Sequence, residues 1–182
     1  MKVTDTFIKD LKILEPKVFT DERGYFFEPF NKYNFQKHFG EINFIQDNES
    51  KSTRGVLRGF HFQKPPYEQS KLVRCVKGKV LDIALDLRKE SKTFGKYESV
   101  VLSETNKKQF FIPKGFAHAF LVLSNEAIFS YKVDNVYAPK FDSGVFWDDP
   151  ELNINWGINK SEIIISEKDL NLKLLKNLES PF

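Results

Sequence analysis

The chain has little of what several protein classes require. Among its 182 residues are one cysteine and three histidines. The single cysteine, Cys75, excludes an internal disulfide and a cysteine-rich metal site. No apolar run approaches the roughly 20 residues that cross a bilayer, and the first residues lack the apolar core of a signal peptide. We therefore expect a cytoplasmic protein without a membrane partner.

Neither sign of charge predominates in the sequence. The net charge of +3 is too small to predict a nucleic-acid partner, which needs a strongly basic face. The sequence contains no glycine-rich phosphate loop, nucleophile elbow or zinc-protease helix. These absences leave cofactor-independent acid and base chemistry on individual side chains, with any anion bound by a local cluster of cations.

Aromatic residues, in contrast, are abundant at 15% of the chain, and 19 are phenylalanine. Such a composition suits strands whose inward faces need large side chains. Helical periodicity is confined to residues 33–39 and 166–175, which predicts one short helix near each end. Many short strands with few helices predict an all-β fold, a jelly-roll barrel of antiparallel strands with residues 1–182 as one domain. The predicted strands are 24–30, 44–48, 55–63, 71–76, 79–87, 97–103, 109–112, 117–123 and 127–133.

Alternation within two of these strands predicts which side chains are exposed. Along residues 79–87, leucine and isoleucine alternate with Asp82 and Asp86, which predicts a half-buried strand with a polar outer face. Along residues 55–63, His61 shares a face with Gly59, and Arg58 falls on the opposite face. Two interpretations of His61 fit this pattern: a base beside an anion site, or a core histidine satisfied by a neighbour.

Two segments, one ending at His61 and one at His118, resemble the half-motifs of the cupin superfamily. Cupins that hold a metal usually present two histidines one residue apart, a nearby glutamate and a third histidine. Here Gln63 occupies the position of the second histidine, and Glu68 is the available glutamate. Because an amide is a much poorer ligand than imidazole for a transition metal, we expect no bound metal.

The chain resembles, almost end to end, the family of dTDP-4-keto-6-deoxyglucose 3,5-epimerases, which are cupin-like enzymes. The resemblance includes VLRGFHFQ at 56–63 and IPKGFAH at 112–118. Further matching runs, in family order, lie at 21–28, 46–50, 71–74, 131–132, 147–150 and 166–169. The resemblance implies an isomerase of dTDP-rhamnose biosynthesis that needs no cofactor and acts on a nucleotide sugar with a ketone at C4.

The resemblance also implies four catalytic roles. His61 would be the base, Asp169 the carboxylate that orients it, Tyr131 the acid on the opposite face of the sugar, and Lys71 the cation that stabilises the enolate. Without the resemblance, Asp169 could be a helix-terminal charge, Tyr131 a core aromatic and Lys71 a solvated strand end.

The remaining implied residues contact the substrate. Tyr137 would stack on the thymine, and Asp142 stands where the family usually has glutamate, which makes its role the least defined. The implied substrate-binding residues are Arg23, Glu28, Gln46, Asp47, Asn48, Arg58, Lys71, His118, Tyr137, Asp142 and Lys168.

The family is dimeric, and we expect a homodimer in which a strand at residues 7–14 pairs with the partner. Three other functions stay open: an epimerase that inverts only C3 or only C5, a metal-dependent cupin isomerase or oxygenase, and a sugar-nucleotide binding module without catalysis.

Overall fold

The computed structural model describes residues 1–182. The chain forms two facing antiparallel sheets and a separate hairpin. In spatial order, the six-stranded sheet contains β1 (Lys2–Asp5), β2 (Lys12–Glu15), β10 (Gln109–Ile112), β7 (Lys71–Lys77), β12 (Glu126–Val133) and β5 (Gln46–Thr53). The five-stranded sheet contains β13 (Asp142–Gly144), β6 (Leu57–Gln63), β11 (Phe116–Val122), β8 (Lys79–Asp86) and β9 (Tyr97–Ser103). The hairpin is β3 (Phe19–Asp21) with β4 (Gly24–Phe26).

Helical structure is limited to two short α-helices and three 3₁₀ turns. Helix α1 (Lys32–Phe39) begins at Asn31, whose side chain accepts a hydrogen bond from the Asn34 N–H, and ends at Gly40. Helix α2 (Glu167–Leu170) is shorter than the predicted 166–175, because Lys173 forms a bridge with Val145 instead of continuing the helix. The 3₁₀ turns are Pro139–Phe141, Lys160–Glu162 and Leu175–Asn177. Neither α-helix has the length and apolar character needed to span a membrane.

The predicted all-β jelly roll of antiparallel strands is confirmed, and β9 and β10 have the predicted bounds. Two predicted strands are wrong in extent. The strand at 24–30 ends at Phe26, and the strand at 44–48 is instead β5, which continues to Thr53. The extension follows from pairing, since β5 forms a continuous ladder with the whole of β12.

Apolar side chains fill three layers. The space between the sheets holds one cluster, which includes Phe110 and Phe129. A second cluster lies on the outer face of the five-stranded sheet, where the C-terminal segment covers it with Trp147 and Trp156. A third lies where Phe35 of α1 packs on the outer face of the six-stranded sheet. Burial of each such phenylalanine contributes about 1.5–3 kcal/mol.

Because both outer faces are covered, the polar outer face predicted for β8 is wrong. Asp82 and Asp86 are fully buried, and Ala84 between them belongs to the cluster between the sheets. Ile83 and Leu85 point the other way, under the C-terminal segment. The apolar face of β8 is therefore outward, and its aspartates face the interior of the barrel.

The predicted strand at residues 7–14 is also wrong. Ile8 and Leu11 are fully buried in the turn between β1 and β2. Strand β2 pairs on one side with β1 and on the other with β10. It is therefore an interior strand, and β1 is the free edge of this sheet.

Candidate active site

A bulge in β6 turns Arg58 and His61 to the same side. The register against β11 shifts between these two residues. Gly59 permits the shift: its φ is +118°, and a Cβ there would lie 2.4 Å from the carbonyl oxygen of His118. Arg58 reaches the opposite sheet, where its guanidinium donates two hydrogen bonds of 3.2 Å to the Ser52 hydroxyl. The predicted placement of Arg58 and His61 on opposite faces is therefore wrong.

His61 is paired with Asp169. Its Nε2 lies 2.7 Å from Asp169 Oδ1, and the other carboxylate oxygen accepts the Gly59 N–H at 3.4 Å. Ser166, the residue before α2, bonds the Asp169 N–H and fixes this short helix against β6. Burial alone would raise the pKa of Asp169, but the His61 imidazole and the Gly59 N–H together lower it. An ionised Asp169 favours the imidazole tautomer protonated at Nε2, which leaves Nδ1 as the basic nitrogen.

His61 lines a cavity of about 350 Å³ to which both sheets contribute. Tyr131 enters it from β12, on the sheet opposite β6. Burial raises the pKa of Tyr131, with the charge of Arg58 opposing the shift, so its phenol keeps its proton at neutral pH. The predicted site residues that line the cavity are Gln46, Asn48, His61, Lys71, Tyr131, Tyr137, Asp142 and Lys168.

Lys71 brings a desolvated ammonium to the same cavity. It is the first residue of β7 and makes no ion pair in the protein. Burial lowers its pKa to about 8, with the charges of Asp142 and Asp82 opposing the shift. A cation held this way is a strong donor to any oxygen that gains negative charge beside it.

Two side chains contact Asp142 where the cavity opens. Lys168 forms an ion pair with Asp142 Oδ2, and the Tyr137 hydroxyl donates to the same oxygen at 3.3 Å. The Asp142 carboxylate is largely shielded, whereas Tyr137 and Lys168 are exposed. The ion pair raises the pKa of Lys168, so its ammonium stays charged.

His118 lies behind the cavity. Its Nε2 is 2.9 Å from Asp82 Oδ2, and both side chains are buried. Burial lowers the pKa of His118 and raises that of Asp82, and their contact with each other opposes both shifts. The second Asp82 oxygen is buried without a hydrogen-bond partner.

Four other predicted residues do not line the cavity. Arg58 is one of them, and its guanidinium bonds Ser52. Asp47 is paired with Lys132 at 2.7 Å and lines a neighbouring hollow. Arg23 is on the β3–β4 hairpin, paired with Asp21, and Glu28 follows that hairpin. No residue of the hairpin lines the cavity of the same chain.

The side chains considered as cupin metal ligands have other partners. His61 bonds Asp169, and His118 bonds Asp82. Gln63 bonds backbone groups, and Glu68 lies 3.7 Å from Lys114. No three His, Cys, Asp or Glu side chains converge on a common point. The absence of a metal stays a prediction.

A family model described as dTDP-4-dehydrorhamnose 3,5-epimerase matches residues 5–177. The chain belongs to this family. It is 53% identical over 165 residues to the dTDP-4-dehydrorhamnose 3,5-epimerase of Methanothermobacter thermautotrophicus, an alignment that covers 90% of this chain and 89% of the relative.

Two solved structures of similar proteins extend the comparison. The 3,5-epimerase of Legionella pneumophila, in complex with dTDP-4-keto-L-rhamnose, has a TM-score of 0.94 at 44% identity and covers 98% of this chain and 94% of its own. ChmJ, a 3'-monoepimerase of Streptomyces bikiniensis in complex with dTDP-quinovose, has a TM-score of 0.89 at 33% identity and covers 94% and 86%. The dTDP-4-dehydrorhamnose 3,5-epimerase family therefore also accounts for the fold, which is cupin-like as predicted.

Sequence reasoning missed two glutamines of the cavity in this epimerase family member. Gln63 was considered only as a poor metal ligand, and Gln69 was not considered, yet both line the cavity. The Gln69 amide donates to the Asn135 carbonyl at 2.7 Å. Alternation along residues 55–63 places Gln63 on the face of His61, and this was the signal for its position in the cavity.

Proposed function

We propose that the chain epimerises dTDP-4-keto-6-deoxy-D-glucose at C3 and C5, giving dTDP-4-keto-L-rhamnose, and so acts in dTDP-rhamnose biosynthesis. The observation that carries the proposal is one cavity with a carboxylate-paired imidazole from one sheet and a protonated phenol from the other. Residues 1–182 act in it as one domain, since both sheets contribute.

Proton removal begins the reaction. The C4 ketone acidifies the hydrogens on C3 and C5, and His61 takes each of them in turn through Nδ1. Asp169 stabilises the imidazolium that results, as in other carboxylate–histidine pairs. A base positioned in this way contributes roughly 10²–10⁴ in rate.

Lys71 stabilises the enolate. When the proton leaves carbon, negative charge gathers on the C4 oxygen, and the Lys71 ammonium faces the cavity without a competing partner. Loss of one preorganised donor of this kind costs roughly 10²–10³ in rate. Only a charged Lys71 can do this, so turnover depends on its protonation.

Tyr131 gives its own phenolic proton to the other face of the ring, while the proton taken from carbon stays on His61. Before the second inversion the phenolate regains a proton from water and the imidazolium releases one to water. Inversion requires that the proton arrive opposite the side from which it left, and Tyr131 lies on the sheet opposite His61. Its raised pKa keeps the proton available until a carbanion can accept it.

The cavity opening binds the nucleotide. Lys168 is exposed there and can exchange Asp142 for a phosphate oxygen of the diphosphate. Arg58, on the same side of β6 as His61, supplies a second cation to the diphosphate. The exposed Tyr137 ring stacks on the thymine. Gln46 and Asn48 of β5 supply neutral hydrogen-bonding groups to the same cavity. Asp47 and the buried His118 then support the binding residues rather than line the cavity.

A second copy of the chain supplies Arg23 and Glu28. The β3–β4 hairpin exposes Phe19, Tyr25 and Phe26 and contributes nothing to the cavity of its own chain. A homodimer that buries these rings brings Arg23 to the partner's cavity, where its guanidinium binds a phosphate. Mixing Arg23→Ala with His61→Asn chains tests this: the mixed dimers should regain activity that neither parent has. A mixture no more active than its parents would contradict it.

We expect the chain to act in the cytoplasm, together with its nucleotide-sugar substrate. Inversion of C3 alone is the second candidate, because the structure is also similar to that of a 3'-monoepimerase.

Incubation with dTDP-4-keto-6-deoxyglucose in deuterated water, followed by proton NMR, separates these functions. Loss of the signals at both C3 and C5, with inverted product trapped by a downstream reductase, is expected. Loss at one carbon alone would make the chain a mono-epimerase, and no loss in a folded protein would make it a binding module.

A further inference from the structure

We propose that Gln63 is a positioning residue that fixes the backbone on both sides of Tyr137. The Tyr137 ring is thereby held over the cavity before the substrate binds. The inference rests on the proposed function, since it takes Tyr137 as the residue that stacks on the nucleotide base.

The Gln63 amide bonds the two backbone groups that flank Tyr137. Its Nε2 donates to the Val136 carbonyl at 3.0 Å, and its Oε1 accepts the Ala138 N–H at 2.6 Å. Nε2 also donates to the Tyr67 carbonyl at 2.6 Å. One side chain therefore fixes the loop before and after Tyr137.

Burial makes these bonds costly to lose. Gln63 is 5% exposed, and removing its amide takes away the partner of the Ala138 N–H and of the Val136 and Tyr67 carbonyls. Tyr137 is 57% exposed, and the bond from its hydroxyl to Asp142 holds only the tip of the ring, so its backbone supplies the rest of the order. A tyrosine has only two side-chain torsions, so a fixed backbone removes most of the freedom that base stacking would otherwise restrict.

The contacts of residue 63 explain why this chain has glutamine where a metal-binding cupin has histidine. Gln63 follows His61 by two residues on the bulged strand and lies opposite Asp142 in the ladder with β13. A glutamine amide carries a donor and an acceptor side by side, and here they bond the Val136 carbonyl and the Ala138 N–H. An imidazole has no oxygen acceptor and cannot make both bonds in this arrangement. In this chain the residue that a metal cupin uses as a ligand binds the loop of Tyr137 instead.

The test is a double-mutant cycle of Gln63→Met with Tyr137→Ala. Methionine is close to glutamine in size and removes all three bonds. Each single variant should raise KM for the nucleotide sugar and weaken dTDP binding about ten-fold, the effect of roughly one lost hydrogen bond or stacking contact. The kcat of Gln63→Met should stay within about two-fold of wild type, and adding Gln63→Met to Tyr137→Ala should change neither constant further.

A matched control is Asn106→Leu. The Asn106 amide also makes three bonds to backbone, with Val101, Ser103 and Lys108, but it lies outside the cavity. This variant should lose stability without any change in KM or dTDP affinity.

Two results would overturn the inference. One is the same loss of dTDP affinity from Gln63→Met in both backgrounds, and the other is a fall in kcat with dTDP affinity kept. If Gln63→Met fails to fold by circular dichroism, Gln63→Asn, whose amide is one methylene too short to span the loop, is measured with the same criteria. Calorimetric dTDP binding needs no turnover, so a wild-type chain that binds dTDP but exchanges no deuterium would contradict the proposed function while still testing Gln63.

Discussion

Replacing Asp142 by asparagine removes one negative charge from beside Lys71 and keeps a side chain of the same shape. Burial lowers the pKa of Lys71 to about 8, and Asp142 is the stronger of the two carboxylates that oppose this. The ammonium must be charged to stabilise the enolate. The dependence of wild-type kcat on Lys71 should therefore give a plateau well below pH 8 and a decrease as the pH rises through that value.

The magnitude follows from the protonated fraction. Lys71 holds its proton in about half of the molecules at pH 8 and in about a tenth at pH 9, so kcat should fall about five-fold between them. An opposite charge within a few ångströms raises the pKa of an ammonium by about one unit or more. Asp142→Asn should therefore move the alkaline limb of kcat down by about one pH unit, and at pH 8 the variant should keep about a tenth of its plateau rate.

The assay is kcat at saturating nucleotide sugar from pH 6 to pH 10. Tyr131 does not produce this limb, because burial raises the pKa of its phenol. Asp148→Asn is a matched control, since Asp148 pairs with Lys160 outside the cavity, and its limb should stay at the wild-type position. If Asp142→Asn leaves the alkaline limb in place, the limb does not report the protonation of Lys71 beside Asp142.

Two further variants separate the acid from the residue that orients the base. Tyr131→Phe should still exchange deuterium into the substrate through His61 but lose inversion by roughly 10²–10⁴; inverted product at the wild-type rate in the reductase-coupled assay would contradict this role. Asp169→Asn should lower kcat by up to about 10⁴ because the imidazole then favours the wrong tautomer. A steady-state loss below about ten-fold, in a protein that melts like wild type, would show that Asp169 does not orient the base.

Much of the architecture could be predicted because short strands alternate with turn residues along most of the chain. The bounds of β9 and β10 follow directly from that pattern. The orientation of β8 could not be predicted, since alternation shows that two faces differ but not which is covered. Here the C-terminal segment, with Trp147 and Trp156, covers the outer face and leaves Asp82 in the interior.

The site was predictable as a set of residues and less so as a geometry. The contact between His61 and Asp169 joins residues far apart in the chain, and only the family resemblance indicated it. The bulge at Gly59, which turns Arg58 to the side of His61, depends on its pairing with β11. The loop contacts of Gln63 likewise depend on tertiary structure, because its partners at Val136 and Ala138 belong to a distant segment.

In the proposed mechanism one imidazole, that of His61, removes the protons from both C3 and C5. Proton NMR of the substrate in deuterated water, with wild-type and His61→Asn chains of equal folded fraction, tests it most directly. We expect exchange at both C3 and C5 for the wild type and none at either carbon for the variant over the same period. Wild-type exchange at either carbon in the His61→Asn chain would contradict it.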